Sequence, residues 1–237
     1  MILSGHQPNY MPYIGFFHKA ASCDVFAIWD TVQFVKRGTF GWMNRNRIKT
    51  HKGPMWLTVP VLTKDKYTQS ILDTKINNEV PWQRKHWRSI YLNYHKAPYF
   101  DKYGGFFEEL YKKEWTSLSG LNEEIIMYML RVLGIKSRII KCSSFMLNSH
   151  GTDLIIDMCK EAGASRFLSG KHGRDYLDEK TFENTDIKLI YQDFIHPGYP
   201  QQFGEFIPSL SAVDLIFNCG PDSLDIIMRP KRTKARK

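Results

Sequence analysis

A polar loop near the N-terminus carries the residues best suited to chemistry. His6, Gln7, Asn9 and Tyr10 closely follow a short apolar run. An imidazole can exchange a proton near neutral pH, and the amides and the phenol can hold a substrate by hydrogen bonds. Either these groups bind a ligand, or His6 and Asn9 cap the next helix and satisfy the loop backbone. We favour a ligand site, because a simple turn needs fewer polar groups.

The residues around this loop predict the start of a parallel sheet. Ile2 and Leu3 indicate a buried strand, and residues 5–12, rich in Gly and Pro, interrupt it. A helix is predicted over 13–23 and a second strand over 24–29. In such sheets the loop after the first strand lies at the carboxyl edge, where ligands bind. The start of the helix favours an anion.

A basic stretch without any acidic residue runs from 31 to 64. Its cations are Lys36, Arg37, Arg45, Arg47, Lys49, Lys52 and Lys64. Arginine forks suit phosphate or carboxylate, and Trp42 and Asn44 lie among them. We expect a binding loop in which Arg45 and Arg47 hold an anionic group with help from Lys36 and Arg37. The alternative is a solvated basic face.

A second polar loop follows a strand that is predicted to end at Ser169. It contains Lys171, His172, Arg174 and Asp175, bracketed by glycines. The backbone N–H groups of such a loop can cradle phosphate, although an ordinary solvated turn has the same composition. Because both polar loops follow strands, we expect His6, Gln7, Asn9 and Tyr10 to share one pocket with Lys171, His172 and Arg174.

The rest of the chain alternates predicted strands and helices. Strands are expected over 56–61, 71–76, 138–142 and 187–191, and helices from Pro81 and over 105–113, 121–133, 152–162 and 212–219. This order predicts an α/β fold, with a largely parallel Rossmann-like sheet, flanking helices and a mainly helical inserted lobe at 77–133. We expect a single domain over 1–228 and a basic disordered tail over 229–237.

Composition limits the classes of protein that fit. The net charge of +9 falls to +3 without the tail, which either touches nucleic acid or an anionic membrane surface, or serves only solubility. The 4 cysteines are widely spaced and fit reduced buried thiols, and no clustered His and Asp predict a metal site. A basic head with a long apolar run is lacking at the N-terminus, and no apolar stretch reaches bilayer length. We therefore expect a cytoplasmic protein.

The run from His6 to Phe17 resembles the opening signature of the WbqC-like protein family. Further family-like blocks lie at 24–30, 44–49, 56–61, 168–170, 173–178 and 211–220. Family members are similar to proteins encoded among O-antigen genes, and a glycine-transferase role has been suggested for one branch. The resemblance therefore implies a role in O-antigen or lipopolysaccharide biosynthesis. It assigns no catalytic residue.

The first half also resembles the nucleotidylyl-transferase superfamily, with pantothenate synthetase the most similar member. That enzyme joins a carboxylate to an amine through an acyl adenylate made from ATP. The present chain lacks the histidine-x-glycine-histidine signature, because Phe16 and Phe17 separate Gly15 from His18. The comparison is therefore an analogy of fold.

Three functions remain open at this point. The first is transfer of an activated amino acid or acyl group to an amino group of a sugar or sugar nucleotide, with ATP or an aminoacyl compound as the donor. In it, His6 is the base, Asp30 orients it or binds the amine, and His18, Asn44 and Ser169 join the binding residues. The second is a non-catalytic protein that binds sugar nucleotides or phosphate. The third is an RNA- or tRNA-binding protein, and a tRNA donor would merge it with the first. The sequence leaves open whether the chain forms a homo-oligomer.

Overall fold

The computed structural model of the protein describes residues 1–36 and 41–229. The strands are β1 (Ile2–His6), β2 (Val25–Ile28), β3 (Arg45–Thr50), β4 (Gly53–Thr58), β5 (Arg138–Lys141), β6 (Arg166–Ser169) and β7 (Lys188–Tyr191). The helices are α1 (Ile14–Ala21), α2 (Trp82–Tyr94), α3 (Phe100–Lys112), α4 (Leu118–Val132), α5 (Gly151–Ala162), α6 (Glu179–Glu183), α7 (Ala212–Cys219) and α8 (Ser223–Ile227). Short 3-10 helices cover Cys142–Ser144, Lys171–Asp175 and Gly220–Asp222.

Five strands form one parallel sheet in the order β5-β2-β1-β6-β7. From β1 the chain builds the sheet outward on one side through β2 and β5, and then on the other side through β6 and β7. The direction of winding therefore changes between β1 and β6, which opens a crevice at their carboxyl ends. The Rossmann-like α/β architecture predicted from the sequence is confirmed.

Each face of the sheet packs against a separate apolar cluster. On one face Phe26 and Ile28 contact α1 and the mainly helical region formed by α2, α3 and α4, as predicted. On the other face Leu3 and Phe167 pack with residues of α5. Gly5 lies beneath the Trp29 ring, and a Cβ there would collide with the indole and lie 2.7 Å from the Ala27 carbonyl oxygen. Gly5 thus allows β1 to continue to His6, two residues beyond the predicted end of the strand at Ser4.

An antiparallel hairpin, β3–β4, occupies part of the basic stretch. A loop was predicted around Arg45 and Arg47, and this is wrong: the segment is strand β3, in which Asn46 and Ile48 are buried while the two arginines are half-buried. This alternation is the period of a strand with one covered face. Binding of an anion by the two arginines stays a prediction. The strand predicted over 71–76 is also wrong: this segment is a turn followed by isolated bridges from Lys75 and Ile76.

A buried polar cluster attaches the irregular segment 192–211 to the hairpin and to α7. The ammonium of Lys49 donates to Gln201 Oε1 at 3.1 Å and to the Glu205 carbonyl oxygen at 2.5 Å. The Tyr94 hydroxyl donates to Asp214 Oδ1 at 2.8 Å and accepts from the Lys49 backbone N–H. Burial raises the pKa of Asp214 to about 6, while the Tyr94 hydrogen bond and the Lys49 charge act in the opposite direction.

Asp214→Asn is expected to remove a pH dependence of stability. Since the pKa of Asp214 is about 6 in the folded protein and 3.8 ordinarily, the folded state binds more protons between about pH 4 and 6. Native stability should fall by up to about 3 kcal/mol as the pH rises through that window. Urea unfolding from pH 4 to 7 measures it. Asp225→Asn, at an exposed position on α8, is the control, and an unchanged slope in Asp214→Asn would contradict the assignment.

Candidate functional site

The carboxyl ends of β1 and β6 meet at the point where the sheet changes direction. Ser4 pairs with Leu168, so His6 and Gly170 lie two residues further along on neighbouring strands. The chain returns to the same edge after β7, where the Gln192 N–H donates to the Ser169 carbonyl oxygen at 2.8 Å. We call this region the β1–β6 crevice and place the candidate site there.

His6, the last residue of β1, is a neutral imidazole in the free protein. Its Nδ1 lies 3.0 Å from the Gln7 carbonyl oxygen, which can only accept, so Nδ1 carries the proton and Nε2 keeps its lone pair. The ring packs on Phe16 at a centroid distance of 5.2 Å. Burial, and then the charge of Lys19, lowers the pKa of His6 to about 3. His6 therefore stays neutral well below physiological pH.

Lys19 also lies at this site, although it was not predicted from the sequence. It lies on α1 and is only 6% exposed, and its ammonium makes no ion pair or hydrogen bond to any residue the structure describes. A Cβ built on Gly170 would lie 3.6 Å from its Nζ, so the ammonium reaches the end of β6. Burial lowers the pKa of Lys19 to about 8. The available signal was its position three residues after Phe16, on the buried face of the helix.

The loop between β1 and α1 is held by hydrogen bonds from distant segments. Asn122 Nδ2 donates to the Pro8 carbonyl oxygen at 2.6 Å, and Asn46 Nδ2 donates to that of Met11, also at 2.6 Å. The Ala212 N–H donates to the Pro12 carbonyl oxygen at 2.8 Å. Contacts from α4, the hairpin and the start of α7 therefore fix the backbone beside His6 before any ligand binds.

The other polar residues of this loop point in different directions. Gln7 is half-buried, whereas Asn9 is buried. Tyr10 is 0% exposed, and its hydroxyl lies 2.8 Å from His86 Nδ1 and also contacts the Tyr111 hydroxyl. The structure thus brings His6 and Gln7 to the crevice but directs Tyr10 into the core, contrary to the expectation of a shared pocket.

Asp30 is fully buried at the end of β2. Its Oδ1 accepts from the Ser143 N–H at 2.9 Å, and its Oδ2 accepts from the Ser143 hydroxyl. These bonds tie the end of β2 to the 3-10 helix that follows β5. Lys36 instead donates to Thr63 Oγ1 at 3.3 Å, and Arg37 lies outside the described residues. A catalytic role for Asp30 stays a prediction.

The hairpin presents arginines against tryptophan rings. The Arg45 guanidinium lies 4.6 Å from the centre of the Trp56 ring, and that of Arg47 lies 5.6 Å from both Trp42 and Trp56. Arg45 also donates to the Gly41 carbonyl oxygen at 3.0 Å, and Arg47 to that of Ser209 at 3.1 Å. Asn44, also predicted to bind ligand, donates to the Val59 carbonyl oxygen at 2.8 Å and is buried.

The charged residues after β6 are mostly exposed. Lys171, His172 and Asp175 lie on the solvent side of a 3-10 helix, with His172 Nδ1 3.2 Å from Asp175 Oδ2. The Arg174 guanidinium lies 3.9 Å from the centre of the Tyr191 ring, at the end of β7. The structure therefore places Arg174 one strand away from the β1–β6 crevice. Ser169, by contrast, is buried and lies directly at it.

A chain of contacts through the segment 192–211 links the hairpin to the sheet edge. The Ser209 N–H donates to His196 Nε2 at 3.0 Å, and Phe194 lies 6.0 Å from His196 and 5.0 Å from His18 between ring centres. His18 Nδ1 is 2.9 Å from Gln192 Nε2. Arg47, bonded to Ser209, and His18 thus lie on opposite ends of one connected polar and aromatic surface.

Two concave regions lie away from the crevice. One of about 410 Å³ is lined by residues of α6 and β7, including Glu179 and Tyr191. The other, of about 380 Å³, lies between α2 and α3 and includes Trp87 and Tyr111. Neither contains His6 or Lys19, so the strand order and the charged residues, rather than cavity volume, locate the candidate site.

Within the described ranges, no group of three or more His, Cys, Asp or Glu could hold a metal ion, and no helix could span a membrane.

The fold and the crevice define a Rossmann-like α/β protein with a polar site where the sheet changes direction. The chain belongs to the WbqC-like protein family, whose model matches residues 7–226. It is 35% identical over 223 residues to Rv1507c of Mycobacterium tuberculosis, a protein described as uncharacterized, with 93% of this chain and 95% of that protein covered. No solved structure matches the chain.

Proposed function

We propose that this protein transfers an activated amino acid or acyl group, glycine among them, to an amino group of a sugar or sugar nucleotide in O-antigen or surface-polysaccharide biosynthesis. Membership of the WbqC-like family supports the biological setting. The observation that carries the chemistry is the neutral imidazole of His6 at the β1–β6 crevice, with its Nε2 lone pair available.

The reaction assigns a definite task to that lone pair. The acceptor nitrogen attacks the acyl carbon and forms the amide bond, and the bond from that carbon to the donor breaks, with the electron pair leaving on the donor. The nitrogen must also lose a proton, which His6 Nε2 accepts. The fixed loop backbone holds the imidazole in position, so little reorganisation is needed during the reaction.

A product assay tests the proposal directly. The protein is incubated with an amino sugar nucleotide and either ATP plus glycine or glycyl-tRNA, and mass spectrometry follows the acceptor. We expect the acceptor to gain one glycyl group in an amide linkage. Binding of the sugar nucleotide without any product from either donor would favour a non-catalytic binding protein instead.

Arg45→Ala should weaken binding of the sugar nucleotide by about 1–3 kcal/mol, the range for a hydrogen bond to a charged group. The reason is that its guanidinium, stacked on Trp56, has further donors that bond to no residue within 1–36 or 41–229 beyond the contact with Gly41. Titration calorimetry measures the affinity. Arg166→Ala is the matched control, since Arg166 is exposed at the amino end of β6, on the opposite edge of the sheet. Equal affinity of the two variants for the sugar nucleotide would indicate that Arg45 belongs to a solvated basic face and does not bind the ligand.

An aminoacyl-tRNA donor is the second candidate, favoured by the exposed face of α2. Helix α2 contains no acidic residue. Five basic residues on and just beyond it make no ion pair to any described residue: Arg84, Lys85, Arg88, His95 and Lys96. A polyanion would complement this face. We expect tRNA binding that weakens steeply with salt and that is reduced in an Arg84→Ala/Arg88→Ala variant. Salt-independent or absent binding would contradict this candidate.

A further inference from the structure

We propose that the β1–β6 crevice binds a phosphoryl group of the substrate on the ammonium of Lys19. This subsite deepens the proposed function and rests on it only for the identity of the substrate, a nucleotide-linked sugar. The carrying observation is a lysine that is 6% exposed and that lacks an anionic partner among the residues the structure describes.

A buried cation without a counter-charge is rare in a protein interior. Burying it costs several kcal/mol, and folded proteins nearly always offset this cost with an ion pair or a bound ion. Among the residues that the structure describes, the titratable groups around Lys19 do not supply a counter-charge. His6 is neutral, and burial raises the pKa of the Cys23 thiol to about 12, so it remains protonated. Burial lowers the pKa of His18, the residue before Lys19 on α1, and the charge of Asp193, which follows β7, acts on His18 in the opposite direction.

Gly170 leaves space beside this ammonium. Its φ of −68° and ψ of 165° suit any residue, so the backbone does not require glycine. What the glycine provides is the absence of a side chain next to Lys19 Nζ, where an ideal Cβ would lie 3.6 Å away. The adjacent turn is tightly closed, because a Cβ on Gly173 would collide with the Ser169 hydroxyl. The close packing of this turn therefore fixes the space that Gly170 leaves beside the Lys19 ammonium.

The compact ammonium of lysine favours phosphoryl oxygens, which it binds as a point charge. An anion on Lys19 would also affect the proton acceptor. The charge of Lys19 is the second cause of the low pKa of His6, so a bound phosphoryl group would raise that pKa and make His6 a stronger base. Substrate binding would thus prepare the imidazole for the reaction.

The test measures binding without turnover, so it stands even if no product is ever found. Titration calorimetry with pyrophosphate and with uridine diphosphate compares the native protein with Lys19→Met, Lys19→Gln and Gly170→Ala. Gly105→Ala is the control, because a Cβ there meets nothing within 4 Å and the position is exposed on α3. Circular dichroism confirms that each variant is folded.

We expect both Lys19 variants to lose at least about tenfold in affinity, Gly170→Ala to bind more weakly, and Gly105→Ala to bind as the native protein does. Because the pKa of Lys19 is about 8, native affinity should fall about tenfold per pH unit above that value, and this fall should vanish in both Lys19 variants. Unchanged binding in both Lys19 variants, or no binding of either phosphate compound by the native protein, would overturn the proposal. Binding of acetate or glycine instead would show a carboxylate site and would also overturn it.

Discussion

The His6→Ala variant is expected to turn over its substrate about a hundredfold or more slowly than the native protein, the usual scale for losing a proton acceptor. Removal of the ring takes away the Nε2 lone pair. The local backbone should persist, because hydrogen bonds from Asn122, Asn46 and Ala212 hold the loop independently of the His6 ring. The fold should therefore survive, and the loss should appear in kcat more than in substrate affinity.

Single-turnover kinetics on the identified acceptor measure this effect. His150→Ala is the control, since His150 is exposed before α5 and no described contact links it to the crevice. The low pKa of His6 in the ligand-free protein, about 3, also means that its titration should not reduce kcat/KM, which reports on the free protein, between pH 7 and 5. Full turnover by His6→Ala would remove the imidazole from the mechanism.

Lys19→Met should stabilise the ligand-free protein by about 1–4 kcal/mol, as when buried charges elsewhere are replaced by apolar residues of similar size. Methionine matches the length of the lysine stem and suits the apolar side of α1. The native ammonium, in contrast, is desolvated beside a neutral His6 without an ion pair to the described residues. A gain in stability together with a loss of anion binding would indicate a residue kept for function.

Urea unfolding at pH 7 measures this gain. The expected pH dependence follows from the pKa of Lys19, which is about 8 in the folded protein against 10.5 ordinarily. Between these values the unfolded chain holds more protons, so native stability rises with pH and the advantage of Lys19→Met shrinks. Lys136→Met, at an exposed position, is the control and should have almost no effect. Destabilisation by Lys19→Met would show that the ammonium is well solvated or paired.

The apolar runs of β1, β2 and β6 made the parallel sheet predictable, because strands buried on both faces are nearly continuous in hydrophobicity. Strand β3 was not predictable in the same way. Its residues Arg-Asn-Arg-Ile-Lys-Thr are mostly polar, and Asn46 can face inward only because it meets the Met11 carbonyl oxygen, 35 residues away. Contacts between distant segments of this kind are not visible in a local pattern.

In the candidate site, too, some features could be predicted from the local sequence and others depend on distant contacts. The position of His6 at the carboxyl edge follows from strand order, whereas its neutral state depends on burial and on the charge of Lys19. The direction of Tyr10 depends on His86 and Tyr111, which come from α2 and α3. The importance of Lys19 depends on its lack of an ion pair within the described part of the chain, and a local sequence pattern does not show which partners a side chain will lack.

The central place of β1 in the sheet has a consequence for how the chain folds. One edge of β1 pairs with β2 within about thirty residues, but the other waits for β6, and Ser4 reaches its Leu168 partner across 164 residues. Contacts over such separations slow folding, because a long loop must close before they form. During synthesis one edge of β1 therefore stays unpaired until β6, and with it most of the protein, has been made. The crevice beside His6 is for this reason among the last features to be completed.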